Sequence, residues 1–364
     1  MKTLKEFIIK EGFLRKNLGL GKEVLIRKWL DEHDIKNYTI NDDLTIDVDM
    51  TVDLRGYREE YLPDYIQFGV IKGRFLIYDS DIKSLKGCPK KVYADFNCSG
   101  CSKLESLEDV SQEIRGSFLV HHCGNLTSLE GAPQKVGGNF HCGYCNNLTS
   151  LKGSPQKIGG YFNCCRCENL TSLEGASREV GVEFDCSYCN NLTSLKGSPQ
   201  KIGGSFNCRR CENLTSLKGA PQEVEGGFFC DYCENLTSLK GAPRKIGGYF
   251  DCENCSSLTS LKGAPKEIDK GFDCPNCKNL ISLEGAPQKV GDEFDCRGCE
   301  SLISLKGGPR IVGGRFSCGD CTSLISLEGA PKSVGKWFDC RDIGVKFTED
   351  DVKKICKVKG KIYL

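Results

Sequence analysis

Apolar residues recur along this chain with one strict period. Phe96, Phe118, Phe140, Phe162, Phe184, Phe206, Phe228, Phe250, Phe272, Phe294, Phe316 and Phe338 follow one another at intervals of 22 residues without a slip. A representative unit, Ile202 to Gln222, reads IGGSFNCRRCENLTSLKGAPQ, on the common skeleton (V/I)-G-x-x-F-x-C-x-x-C-x-x-L-x-S-L-x-G-x-P-x-x. Self-similarity at a fixed period of this length is the signature of a solenoid, where each unit buries its apolar face against its neighbours. Phe and the first Cys lie two apart and share one face of a short extended segment. Leu214 and Leu217 are three apart with a bend between them. Gly219 and Pro221 then punctuate the return, where the backbone needs permissive and pre-set φ values. No unit has room for a helix of three turns. The pattern predicts a mostly β repeat solenoid built on one parallel sheet of about twelve short strands, with Phe, Cys and Leu columns inside. At about 4.8 Å between strands, such an array is a rod on the order of 50–60 Å long.

Both ends break the period. Residues 1–36 read as helical, with Val24, Leu25, Trp29 and Leu30 as an apolar stripe and Gly19 and Gly21 separating it from an earlier helix. Residues 38–54 alternate polar and apolar, and Asn41-Asp42-Asp43 supplies a turn between two strands. Val70 to Cys88 is a degenerate first unit whose Phe75 stands one residue out of register. Thr348-Glu349-Asp350-Asp351 reads as a capping box opening a short helix. An open solenoid needs lids, because its end units otherwise expose core and sheet edge. The expected organisation is a small α+β cap over 1–61, a solenoid over 62–343 and a short helical cap over 344–364.

The run F-x-C-x-x-C-x-x-L-T-S-L resembles the leucine-rich-repeat signature L-x-L-x-x-(N/C)-x-x-L, especially its cysteine-containing variant. The order I-G…F…C-x-x-L-T-S…P is also similar to short bacterial repeat classes of surface and effector proteins. With its acidic N-terminal lead-in, the array resembles repeat proteins of large bacteriophages. The resemblance covers roughly residues 62–343 and departs from the usual pattern in carrying Phe and Cys where Leu is commonest. It implies a leucine-rich-repeat-like fold that binds protein through a concave sheet, and it names no partner.

Cysteine is extreme, at 25 residues. No apolar leader core lies within Met1 to Lys22, no apolar run is long enough to span a membrane, and 25 is odd, so the expected setting is cytoplasmic, with free thiols. Each C-x-x-C is, out of context, half a zinc site. Against that, Val120 fills the first cysteine column in its unit and Ile343 fills the second in the last unit, which marks the slots as apolar. A buried thiol is a small hydrophobe that can also donate weakly to a carbonyl. The reading is core cysteine, with metal binding and a disulfide ladder as the alternatives; no cofactor is expected. His121, His122 and His141 fall in adjacent units, and His121 and His141 take outward slots from which they can approach across strands.

Net charge is +1, so no global field points to nucleic acid or an anionic membrane. No nucleophile–base order and no phosphate-cradling loop is present, and the expectation is not an enzyme. Packing fixes the inward positions, so function belongs where units differ. Tyr144, Tyr161, Arg166, Tyr188, Arg209, Arg210, Phe229, Tyr232 and Tyr249 gather outward aromatics and arginines, the composition of a binding hot spot. Further along, Asp251, Asp273, Asp295 and Asp339 share one column, with Glu253 and Glu293 nearby, which suits a basic partner. The functional expectation is a cytoplasmic scaffold for a protein partner, and a viral origin is what the bacteriophage resemblance implies. A structural component associating end to end, or a thiol-rich metal-binding protein, is the alternative.

Overall fold

The computed structural model describes residues 21–364. The earlier helix expected before Gly19 lies outside them. The array is a parallel β-solenoid, as the period requires. Each phenylalanine opens a two-residue strand, and these strands form a sheet of fifteen, from Val52–Asp53 through Phe75–Leu76 and the twelve repeats to Ile362–Tyr363. Pairing is in register, so Phe206 lies beside both Phe184 and Phe228. Phe75 pairs directly with Phe96, its shorter spacing being absorbed outside the strand. Every coil also carries a second ladder that the sequence reading did not assign. It is the Lys/Glu–Val/Ile pair before the glycines, and it forms parallel sheets of nine and seven strands, interrupted between Lys201–Ile202 and Glu223–Val224. The nine-stranded sheet ends in an antiparallel hairpin, Tyr38–Ile40 with Ile46–Val48, joined at the expected Asn41-Asp42-Asp43 turn.

The core is a set of one-residue columns. The phenylalanine rings from Phe75 to Phe338, with Phe68 ahead of them, stack at centroid separations of 5.0–5.7 Å. Beside them run the Cys and Leu columns, all buried in the representative unit. Glycine is required where coils approach most closely: a Cβ on Gly159 would stand 2.0 Å from the carbonyl oxygen of Gly137. Gly219 has φ +92°, a conformation that side chains rarely adopt.

The second cysteine column is more than apolar filling. From Cys101 to Cys321 each thiol donates to a backbone carbonyl of the preceding coil, at 3.2–3.4 Å. Thus Cys211 Sγ donates to the Cys186 carbonyl, and Cys233 Sγ to that of Cys208. All 25 cysteines are free, and all but Cys165 are buried. Burial pushes the Cys145 thiol up to about 12, so it keeps the proton it donates.

The lids are partly as expected. A helix over 21–32 (α1) buries Ile26, Trp29 and Leu30, and Trp29 meets Phe68 at 6.3 Å. Val24 and Leu25 of the expected stripe are exposed instead, because the buried face runs through Ile26 at i, i+3 and i+4. At the other end Thr348 caps a helix over Glu349–Ile355 (α2), with the reciprocal capping box to Asp351. The chain then adds a strand to each ladder, Lys357–Val358 and Ile362–Tyr363, so this lid is a further coil as well as a helix. Lys357, Lys359 and Lys361 line that last edge, where charge discourages further strand pairing.

Two substitutions separate packing from hydrogen bonding. Phe206→Ala should cost about 3–5 kcal/mol in denaturant unfolding, the loss of a buried ring. Cys211→Ala should cost about 1–3 kcal/mol, because it leaves the buried Cys186 carbonyl without its thiol donor. A Cys211→Ala variant as stable as wild type would show that the thiol bonds contribute nothing.

Candidate binding face

Burial alternates along the phenylalanine strands, Phe inward and the next residue toward the surface, except at Phe294–Asp295, where both are buried. Four positions per coil therefore reach the outer face: one before Phe, and one, three and four after it. The nine residues expected to bind a partner divide among these columns. Tyr161 and Tyr249 precede their Phe, Phe229 follows one, and Arg209 lies three after. Tyr144, Arg166, Tyr188, Arg210 and Tyr232 all lie four after.

That last column is a continuous stack. His122 lies on Tyr144 with centroids 4.2 Å apart. The Arg166 guanidinium sits 5.7 Å from the Tyr144 ring and 4.2 Å from that of Tyr188. Arg210 sits 5.6 Å from Tyr188 and 4.3 Å from Tyr232. Aromatic and cation alternate, so in-register stacking brings each beside its complement. The backbone here is left-handed, with φ from +53° to +59° for these six residues. From Asn254 and Asn276 through Gly298 to Asp320 and Asp342, the same position holds residues that adopt this conformation readily. Six bulky residues in it are costly, by about 1 kcal/mol each.

The other aromatics are less free than their outward slots suggested. Phe229 is half-buried, its ring covering the notch at Gly227, where an added Cβ would meet its Cζ at 2.5 Å. Tyr249 covers Gly271 in the same way. Tyr161 is 47% exposed and borders a shallow groove of about 300 Å³ with His141, Asn163 and Glu183. Arg209 is bound to the buried Asp231 carboxylate at 3.0 Å.

The acidic column forms a second groove, of about 330 Å³, whose walls include Asp251, Asp273, Glu293, Asp295 and Trp337. Three of its carboxylates have an arginine: Asp295 with Arg297 at 3.1 Å, Asp339 with Arg341 at 2.6 Å, and Glu293 with Arg315. Asp251 and Asp273 have none, because Glu253 and Pro275 stand where Arg297 and Arg341 stand in their own coils. Burial pushes Asp251 up to about 6. Burial, with repulsion from Glu293, Asp251 and Asp295, pushes Asp273 up to about 8, and its buried Oδ1 has no hydrogen-bond partner. The motif D-x-R against D-x-E and D-x-P was the signal in the sequence.

No protein-family model and no curated protein matches the chain. A solved structure that it is similar to is a leucine-rich repeat protein from Bacteroides ovatus, at 16% identity, covering 90% of this chain and 98% of that one with a TM-score of 0.36. At that level the likeness speaks of neither partner nor chemistry, and it does not bear on the bacteriophage resemblance.

The stack makes Tyr188, Arg210 and Tyr232 part of the surface packing, contrary to the freedom expected of hot-spot residues. Tyr188→Ala should lower stability by about 1–2 kcal/mol, since strain remains and two cation–π contacts go. Tyr188→Asn, which suits the backbone, should cost less. Equal losses in denaturant unfolding would show that the left-handed backbone does not matter here.

Asp273 governs a pH dependence. Folded, it holds its proton where the unfolded chain, near 3.8, releases it. The folded form then binds more protons between about pH 4 and 8 and loses stability as pH rises through that window. Asp273→Asn should raise the melting temperature at pH 8 and flatten this fall. An unchanged profile would show that the carboxyl is ionised at no cost.

Proposed function

We propose that the chain is a non-enzymatic protein-binding scaffold whose outer sheet face, between about Tyr144 and Tyr249, contacts the partner. The observation that carries this reading is the left-handed column. Core packing is satisfied there by Asn, Asp or Gly in other coils, yet six consecutive coils hold His, Tyr and Arg at a local cost. Backbone strain concentrated in one surface stretch points to a use for those side chains beyond folding. Tyr and Arg in a rigid stack lose little entropy on association, and each buried anchor contributes about 2 kcal/mol or more. Twenty-five free thiols, fourteen of them hydrogen-bonded to backbone carbonyls, suit a reducing cytoplasmic setting. Among the described residues no helix is long and apolar enough to cross a membrane.

A second reading places a basic partner in the acidic groove, favoured by the uncompensated Asp251 and Asp273 carboxyls. A cation docking there would displace the proton that folded Asp273 holds and pair with the carboxylate it leaves.

The test is capture of a partner from the cells that make the chain, with the isolated protein checked for its fold. A variant carrying Tyr188→Asn, Arg210→Asn and Tyr232→Asn keeps the backbone preference of the column and should lose the partner. Retention through those changes, with loss on Asp251→Asn and Asp273→Asn, moves the site to the groove. Retention by both variants overturns the outer-face reading.

A further inference from the structure

We propose that two copies of this chain associate side by side, with their rods parallel, through the stripe formed by Ile281, Ile303 and Ile325. Each of these residues follows a core leucine, as in Leu280–Ile281–Ser282–Leu283. In seven consecutive earlier coils, Thr127 to Thr259, the same slot holds an exposed threonine, so the slot faces water. Both residues are β-branched and meet the same backbone demand. Thr237 Oγ1 also donates to the Thr215 carbonyl at 3.2 Å, a bond along the column that isoleucine cannot make. Threonine thus suits an isolated chain here, and isoleucine exchanges its hydroxyl for an ethyl group. Self-stacking does not account for the exchange. Ile303 has an isoleucine on either side and is still 56% exposed, with Ile281 at 58% and Ile325 at 63%.

The flanking charges point to a second copy as the occupant. Lys278 and Glu300 lie three residues before their isoleucines, and Glu284 and Lys306 three residues after. A charged column therefore borders the stripe on each side. Within one copy these columns bridge along the rod, Lys278 to Glu300 at 3.1 Å and Lys306 to Glu328 at 3.7 Å. Across each coil the two sides carry opposite signs, Lys278 with Glu284 and Glu300 with Lys306. A two-fold axis parallel to the rod lays each coil on its own counterpart, with the chain crossing the face in the reverse direction. Lys278 then faces the second copy's Glu284, and Glu300 faces its Lys306, each contact occurring twice. An axis across the rod at Ile303 instead sets Glu300 against Glu300, Lys306 against Lys306 and Glu284 against Glu328. Charge selects the parallel pair.

Between the stripe and its charged borders the residues are small. Ser282 and Ser326 turn their hydroxyls to their own backbone, accepting from the amides of Glu284 and Glu328 at 3.1 Å. No bulky side chain stands there to hold two isoleucine stripes apart. The contact is small, below about 1,200 Å² in total, so the association is weak and reversible. This face is separate from the proposed partner surface, and its test does not involve that partner.

The test is sedimentation equilibrium of the full, reduced chain, which should pass from monomer to dimer between about 1 µM and 1 mM. Ile281→Thr, Ile303→Thr and Ile325→Thr together keep the fold, since seven other coils carry threonine in that slot. They should raise the dimer dissociation constant by about a hundredfold or more. Glu284→Lys sets a like charge against the second copy's Lys278 and should raise the constant by about threefold or more. Adding Lys278→Glu to it should restore the dimer. Tyr188→Asn, on the outer sheet face, should leave the association unchanged. A chain that stays monomeric throughout, a dimer that survives the three threonines, or one that Glu284→Lys tightens or leaves unaltered would each overturn the proposal.

Discussion

In-register parallel stacking is the constraint on which the rest of this structure depends. Each residue of a coil lies beside its counterpart in the coils above and below, as Phe206 does between Phe184 and Phe228. Whatever a position holds is therefore repeated along the rod at one-strand spacing, about 4.8 Å. Such an array is stable only where a residue interacts well with another of the same kind, or where neighbours along a column alternate. The interior meets this with phenylalanine, whose rings pack on one another edge-on, tilted or stacked, and with a thiol that points down the rod at the carbonyl of the coil before.

The thiol bond favours cysteine at the turn in eleven consecutive coils, Cys101 to Cys321; the buried Ser80, and Ile343, take the same slot only at the ends of the array. The slot needs a donor, because the carbonyl of residue 186 faces it from the coil before; it also needs apolar bulk, because Leu214 and Phe206 pack alongside. Serine would add a strongly hydrated hydroxyl to a dry core, and valine would leave the carbonyl unsatisfied. A thiol gives a weak donor at little desolvation cost. That role also weakens a metal reading of the C-x-x-C pairs, since a thiol held as a donor keeps the proton that a metal ligand must lose.

The period of the phenylalanines made the coil, its register and its core columns legible, since one repeated physical demand produces one repeated letter. The second ladder was less visible. Its strands are only a Lys or Glu followed by Val or Ile, with no alternation long enough to mark a strand. At α1 the expected stripe held the buried Trp29 and Leu30 but took Val24 and Leu25 in place of Ile26, because all three are equally apolar and only packing onto the end of the solenoid selects among them. On the outer face, composition located the aromatic and acidic stretches. It gave no hint of the left-handed backbone beneath Tyr188 and Arg210, because φ at that position is set by the turn that follows the strand and not by the residue occupying it.

The same stacking rule ranks the surface columns by how well each is resolved within the chain. The column from Tyr144 to Tyr232 alternates aromatic and cation, so every neighbour within it is a complement, and His122 stacks on its end. Asp295 and Asp339 are separated by Ser317, and each is paired with an arginine of its own coil. Asp251 and Asp273 lie side by side with no arginine, and His121 and His141 face each other with a nitrogen unpaired on each ring. These last two places are where self-stacking finds no internal answer. A solenoid can delete such a mismatch by changing one residue in one coil, with no effect on the rest of the array. Asn163 and Asn207, at the position of His141 and Asp273, are the ready alternatives that other coils already use. An unresolved column that a single substitution would resolve is accordingly a place where packing alone does not account for the residues the chain carries.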